Sequence, residues 1–244
     1  MRVAVVGRNS EDLLALLPAL GFEIVPPEAQ PEVIISHGGD GSLIGAEAAW
    51  PGVPKMGIRD SRTCHKCEHH GDQEVFERLR NGQASRTELM KLEADTGRSH
   101  FLGVNDVLMR NADIRSAVRF SVLVNGEKAT DEIIGDGLVI STPFGSSAYF
   151  RSIANTTFRT GIGIAFNNCT EFHNHLVLRE DDVIAVQITR GPAQITADND
   201  PAITTLESGS TVGIRQSASR ATVLALDTLR CPFCRYRNAP RRRF

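Results

Sequence analysis

The chain has 244 residues, with 27 Lys and Arg against 29 Asp and Glu and a formal net charge of −2. Hydrophobic residues make up 41% and charged residues 23%, which is ordinary globular usage and excludes collagen, coiled coil and wholesale disorder. The balanced charge argues against a nucleic-acid binder, and no apolar run approaches the ~20 residues of a membrane helix.

The first elements alternate. Val3–Val6 is a short apolar strand ending at Gly7. Asn9 or Ser10 caps a helix from Glu11 to Leu20, with leucines 13, 16, 17 and 20 on one face and Gly21 to end it. Phe22–Val25 reads as a strand closed by Pro26-Pro27, and Val33–Ser36 as another. A helix from Ser42 to Trp50 stops at Pro51-Gly52. Strands alternating with helices imply a parallel α/β sheet. From about Glu88 to Ile214 strand signals dominate. Val118, Phe120, Val122 and Val124 alternate with Arg119, Ser121 and Leu123, and Asn125-Gly126 is a hairpin turn. Gly137–Ser141, Val183–Thr189 and Thr211–Arg215 are further strands, and Lys91, Glu93 and Asp95 alternate as an exposed strand face would. An α/β domain is thus followed by a mainly β domain, with the boundary near 84–88. No internal repeat or long linker separates them. The N-terminus lacks the pattern of a signal peptide, so a cytoplasmic protein is expected, and its five cysteines read as thiols or metal ligands before disulfides.

Three loops carry chemistry. Gly38-Gly39-Asp40-Gly41-Ser42 lies between a buried strand and a helix. Glycines let the backbone approach a ligand, and the helix start favours an anion such as phosphate. A carboxylate there makes sense if Asp40 takes a proton from an attacking hydroxyl or faces a metal ion. On its own the loop reads equally well as a plain turn with Asp40 as a cap. The second loop is Asn105-Asp106 at a strand start, suited to ribose hydroxyls and otherwise an ordinary turn. The third follows Asp136 and a buried strand: Thr142-Pro143-Phe144-Gly145-Ser146-Ser147-Ala148-Tyr149, rich in hydroxyls and free N–H groups.

Together, in this order and spacing, the loops resemble the NAD kinase family over Met1 to about Ile214. The family's third loop normally reads Thr-Pro-Thr-Gly-Ser-Thr-Ala-Tyr, so Phe144 and Ser147 replace its inner threonines, and its Asn-Glu pair is Asn105-Asp106 here. The family usually continues Ser-x-Gly-Gly-Pro after the tyrosine, but Ser152 is followed by Ile153-Ala154-Asn155. Gly57-Ile58-Arg59-Asp60 stands where Gly-Ile-Asn is usual, and Asp198-Asn199-Asp200 where Asp-Gly-Gln is usual. The resemblance implies an α/β domain of residues 1–86 with 215–244, the chain end packing back on it, and an all-β NAD-binding domain of 87–214. It implies Asp40 as general base on the adenosine ribose 2′-hydroxyl of NAD. Gly38, Gly39 and Gly41 would hold nucleotide phosphates, with Mg²⁺ bridging those of the donor. Asn105 and Asp106 would bind the ribose and adenine side of NAD. Asp136 would face its nicotinamide end, and Ser147, Ala148, Tyr149 and Ser152 would line its pocket. ATP or another phosphoryl donor is the implied second substrate, and a homo-oligomer the implied assembly. Two other readings compete: a catalytically silent NAD-binding or regulatory protein, which the departure after Tyr149 would suit, and a related small-molecule or lipid kinase, since other kinases carry Gly-Gly-Asp-Gly.

The cysteine pairs fall outside the family pattern. Cys64-His-Lys-Cys67 and Cys231-Pro-Phe-Cys234 supply four thiolates, the set a tetrahedral structural Zn²⁺ wants. The 163 residues between them are far too many for one local zinc ribbon, so only chain folding brings them together. A redox pair or unrelated buried thiols are the other readings. Cys169 is expected to be merely buried. His173 and His175 read as surface or pocket histidines, and Arg241–Arg243 as a solvated tail.

Overall fold

The computed structural model describes residues 1–60, 72–171 and 175–229. The chain divides into two units, one of Met1–Glu88 with the chain from Ala221 onward, the other of Leu89–Arg220.

The first unit begins β1 (Arg2–Gly7), α1 (Glu11–Ala19), β2 (Glu23–Ile24), β3 (Val33–Gly38), α2 (Asp40–Ala49), β4 (Lys55–Arg59) and α3 (Asp72–Arg80). The strands are parallel in the order β4-β3-β1-β2. Val33 to His37 are all buried, as a central strand covered on both faces requires. Alternation along the strands decides which helix meets which face. Val3, Val33 and Ile35 pack against Leu13 and Leu17 of α1 and Val75, Phe76 and Leu79 of α3, whereas Ala4 and Ile34 pack against Ala46 of α2. Gly7 is obligatory: its φ is +118°, and a Cβ there would lie 2.1 Å from the His37 carbonyl oxygen.

The second unit holds β5 (Arg86–Asp95), β6 (His100–Gly103), β7 (Asp106–Asn111), β8 (Val118–Val124), β9 (Glu127–Lys128), β10 (Ile133–Gly135), β11 (Gly137–Ser141), α4 (Tyr149–Ala154), β12 (Ile162–Asn167), β13 (His175–Leu178), β14 (Ile184–Arg190), β15 (Ala193–Ala197) and β16 (Thr204–Leu206). The long β17 (Thr211–Leu224) leads back to the first unit, where Val223 and Leu224 pair in parallel with Lys55 and Met56 and α5 (Leu226–Leu229) follows. One sheet runs β13-β12-β11-β7-β15-β16; the other strands run β10-β8-β14-β17, with β5 on β17. Phe120, Val122, Ile184, Val186 and Val212 from one sheet share a core with Val107, Met109, Leu138, Ile140 and Ile164 from the other. Val139 and Ala165 face outward, under Phe150 and Ala154 of α4. The architecture is therefore an α/β unit with a parallel sheet plus a mainly β unit, as expected.

Asn125 and Gly126 turn the β8–β9 hairpin with φ of 54° and 84°, the positive values an Asn-Gly turn supplies. Four expectations need correcting. Helix α2 starts at Asp40, before Ser42, because Gly39 in an extended conformation already serves as its N-cap. β17 runs nine residues past Arg215. The alternating face of β5 is not exposed throughout: Lys91 is buried, because both faces of that strand are covered between Leu89 and Leu92. Cys169 is half-buried, its Sγ packed beside Gly135. Helix α3 was not among the expected elements, although buried Val75, Phe76 and Leu79 carry its spacing, with Arg78 and Arg80 in the last turn.

Candidate active site

Each unit holds a built loop of its own. In the first, β3 ends at Gly38 with φ of +145°, where a Cβ would strike the Ser42 Oγ at 2.2 Å. A Cβ on Gly39 would meet none of the described residues within 4 Å. Asp40 opens the ten-residue helix α2, whose positive dipole end favours an anion. Its Oδ1 lies 3.6 Å from Nη2 of Arg59, both side chains being mostly buried. Arg59 sits at the end of β4, beside Gly38 in the register, and its Nε donates to the Leu229 carbonyl at 2.8 Å. Asp60 closes the base of the loop. Its N–H donates to the Gly38 carbonyl, and its buried carboxylate accepts from Asn9 Nδ2 at 3.2 Å.

In the second unit the structure brings Asn105, Asp106 and the Thr142–Ser152 stretch together. The Asn105 N–H donates to Asp198 at 2.8 Å, and its carbonyl accepts from Ser141 Oγ at 3.1 Å and from the Thr142 N–H at 2.9 Å. Thr142 Oγ1 donates to the Val104 carbonyl at 2.6 Å and accepts the Gly145 N–H at 3.0 Å. Gly145 has to be glycine, since a Cβ would lie 2.0 Å from the Asn105 carbonyl oxygen. The backbone of Asn105 is thus fully committed, yet its side-chain Oδ1 is buried with no hydrogen-bond partner among the described residues. Such an acceptor costs free energy until a ligand donor meets it. Burial, with repulsion from Asp198 second, pushes the Asp106 carboxyl up to about 7.

Beyond Gly145, Ser147, Tyr149 and Ser152 are exposed and Ala148 is half-buried. The Ser152 hydroxyl donates to the Tyr149 carbonyl at 2.7 Å. Underneath, Phe150 stacks edge-on against Phe158 at 5.0 Å and His175 at 5.9 Å. His175 therefore belongs to the support of this loop. Asp136 is not brought to this group. It precedes β11 whereas Thr142 follows it, about 20 Å along the strand at about 3.4 Å per residue. There Asp136 accepts from Asn168 Nδ2 at 3.0 Å, and Gly137, φ +136°, lets β7 approach.

In the sequence Arg59 and Asp198 stand only as departures from a pattern. Arg59 turns out to stand beside Asp40, and Asp198 to hold the Asn105 turn. The signal for Asp198 was a carboxylate placed directly after the buried strand β15. Cys64, Cys67, Cys231, Cys234, His173 and the Arg-rich tail lie outside the described residues. Among the described residues no group of three or more His, Cys, Asp or Glu side chains is placed to hold a metal ion, and no helix is long and apolar enough to cross a membrane.

The chain thus joins an α/β unit, with a Gly-Gly-Asp loop at a helix start, to a mainly β unit, with an Asn-Asp turn under a Thr-Pro loop. Solved structures identify the fold more closely as that of NAD kinases. Yeast NADH kinase complexed with NADH superposes with a TM-score of 0.80 at 14% identity, covering 92% of this chain and 83% of that one. An NAD kinase from Archaeoglobus fulgidus in complex with ATP gives 0.76 at 17%, covering 96% and 97%. No family model matches the sequence. The chain is nevertheless 28% identical over 264 aligned positions to the NAD kinase of Gemmatimonas aurantiaca, covering 93% of this chain and 91% of that one. It is 27% identical to that of Paraburkholderia phytofirmans, covering 91% and 87%. The NAD kinase of Aquifex aeolicus is 30% identical over 140 aligned positions, 54% of this chain and 50% of that one.

Proposed function

We propose that this protein is an NAD kinase, transferring a phosphoryl group from ATP or another donor to the 2′-hydroxyl of the adenosine ribose of NAD. The observation that carries the reading is the Gly38–Gly41 loop with Asp40 at the start of α2, on a fold shared with kinases that bind NADH and ATP.

Asp40 takes the proton as the 2′-oxygen attacks the terminal phosphorus. The bond from that phosphorus to the bridging oxygen of the donor breaks, and ADP leaves when the donor is ATP. The open backbone at Gly39 and the N-terminus of α2 hold phosphate oxygens, and Arg59 adds a cation beside Asp40. Asn105 and Asp106 hold the ribose and adenine side of NAD, with Asn105 Oδ1 accepting a donor from it. Ser147, Ala148, Tyr149 and Ser152 line the pocket. Mg²⁺ fits this loop, because it usually takes one or two carboxylates plus substrate phosphates and needs no all-protein cage; Asp40 would be its nearest carboxylate. When bound it neutralises charge on the donor phosphates.

Asp136, about 20 Å along β11 from Thr142, faces the nicotinamide end of NAD in this reading, away from the Asn105 turn, and the protein works as a homo-oligomer. The second metal in this reading is a structural Zn²⁺ on Cys64, Cys67, Cys231 and Cys234, supported by their paired Cys-x-x-Cys spacing.

The test is an assay for NADP⁺ formed from NAD⁺ with Mg²⁺ and ATP, GTP or polyphosphate in turn. NADP⁺ formation is the expected result. Binding of NAD⁺ without turnover on any donor would reject the kinase reading in favour of a silent NAD binder.

A further inference from the structure

The turn that carries Asn105 is organised by a carboxylate some ninety residues away in sequence. Oδ2 of Asp198 accepts the Val104 N–H at 2.7 Å, and Oδ1 accepts the N–H groups of Asn105 at 2.8 Å and Asp106 at 3.1 Å. Three consecutive N–H groups aimed at one carboxylate form an anion nest. The clasp is reciprocal, since the Asp198 N–H donates to the Asp106 carbonyl at 3.0 Å. Asp198 itself stands at φ of 48°, which turns the chain out of β15 and sends its side chain back toward the turn. We propose that Asp198 is a positioning residue for nucleotide binding: its carboxylate sets the Val104–Asp106 backbone and so aims Asn105 at the NAD. The inference rests on the NAD kinase reading and deepens it.

Two features separate this role from a plain structural brace. Every backbone group of Asn105 is used, so the one buried polar atom left over in this residue is Oδ1, and its direction follows from the nest. Charge is also distributed for the purpose. Burial pushes the Asp198 carboxyl up, while the three N–H donors and then Lys91 pull it down. Asp106, the other acid at the turn, is pushed up to about 7 by burial and by Asp198. The charged groups that act on Asp198 are thus Lys91 from β5 and Asp106 from β7.

The test is Asp198→Asn, read by the dissociation constant for NAD⁺ in calorimetry and by steady-state kinetics. An amide nitrogen cannot accept, so the nest loses at least one bond. The dissociation constant and KM for NAD⁺ should rise by about tenfold or more, while kcat and the KM for ATP stay within about threefold. A merely structural role would lower the active fraction, and with it the apparent kcat, leaving KM alone; that result, or NAD⁺ constants within twofold of the parent, overturns the proposal. If Asp198→Asn does not fold, Lys91→Gln decides. Without that cation Asp198 protonates more readily, so NAD⁺ affinity should weaken from pH 8 to pH 6 more steeply than in the parent, and parallel profiles overturn it. A parent that turns over NAD⁺ while the variant binds it normally defeats this inference alone. A parent that binds NAD⁺ without turnover defeats the kinase reading, and the calorimetric arm still decides this one.

Discussion

In the proposed reaction Asp40 is the general base, and that role predicts a split between turnover and binding. Asp40→Asn keeps the size and polarity of the side chain at the start of α2 but removes the base. Turnover should fall by ~10²–10⁴ while the NAD⁺ dissociation constant stays within a few-fold, as rapid-quench and calorimetric measurements would show. A variant of near-normal rate defeats the assignment. Asp106 yields a prediction about pH. Its carboxyl is raised to about 7, so between the unfolded value near 4 and that point the native state binds the extra proton. This group therefore favours the folded ligand-free protein at low pH, and the advantage is lost as pH rises through about 7. The loss is at most about 1.4 kcal/mol per pH unit. Denaturant titrations of the parent and Asp106→Asn should diverge in the variant's favour from pH 5 to pH 7 and run parallel above about pH 8. A pH-independent difference would contradict the raised value. At this scale Asp40, Asn105 and Asp106 stand out in the sequence as candidates, because residue type and spacing are local properties. Asp198 and Lys91 do not, because their roles depend on which backbone groups they face.

Between elements, the sharpest test lies where α2 meets β4. Lys55, fully buried at the start of β4, is ion-paired with buried Glu47 of α2 and also donates to the Trp50 carbonyl at the helix end. Lys55→Met leaves a carboxylate inside without its cation and should cost about 3–5 kcal/mol, measured by guanidinium unfolding. The double variant Lys55→Met with Glu47→Leu should recover most of that, since a well-packed apolar pair often replaces a buried ion pair without loss. Near-parent stability of the single variant would contradict the pairing. Helices α1 and α2 and strand β3 could be read from apolar periodicity, because one dominant face or a fully apolar run marks each of them. The length of β17 could not. Residues 215–220 are arginines and small or polar residues, and pairing with β5 holds this part of β17 as strand where local preference is weak.

For the whole molecule, the cysteine pairs predict a stability effect distinct from catalysis. Four thiolates fill a tetrahedron and leave no position for a substrate water, so zinc bound there would hold the fold without joining the reaction. Protein purified without added metal should carry about one zinc per chain. Chelation should lower the melting temperature, and Cys231→Ser should reproduce that shift, with activity falling only through unfolding. Zinc content near zero with all four thiols reactive would reject the site.

The sequence by itself determined the order of strands and helices, the change from α/β to mainly β, and the three loops with their resemblance to NAD kinases. These are local properties: periodicity, turn chemistry, and short runs of residues whose types must stand side by side. Tertiary structure alone decided that Asp198 clasps the Asn105 turn, that Arg59 stands beside Asp40, that Lys91 is buried, and that Asp136 lies at the far end of β11 from Asn105. Each of these depends on strand order and register, which are set by the packing of segments far apart in the chain, and no local pattern of residues encodes that distance.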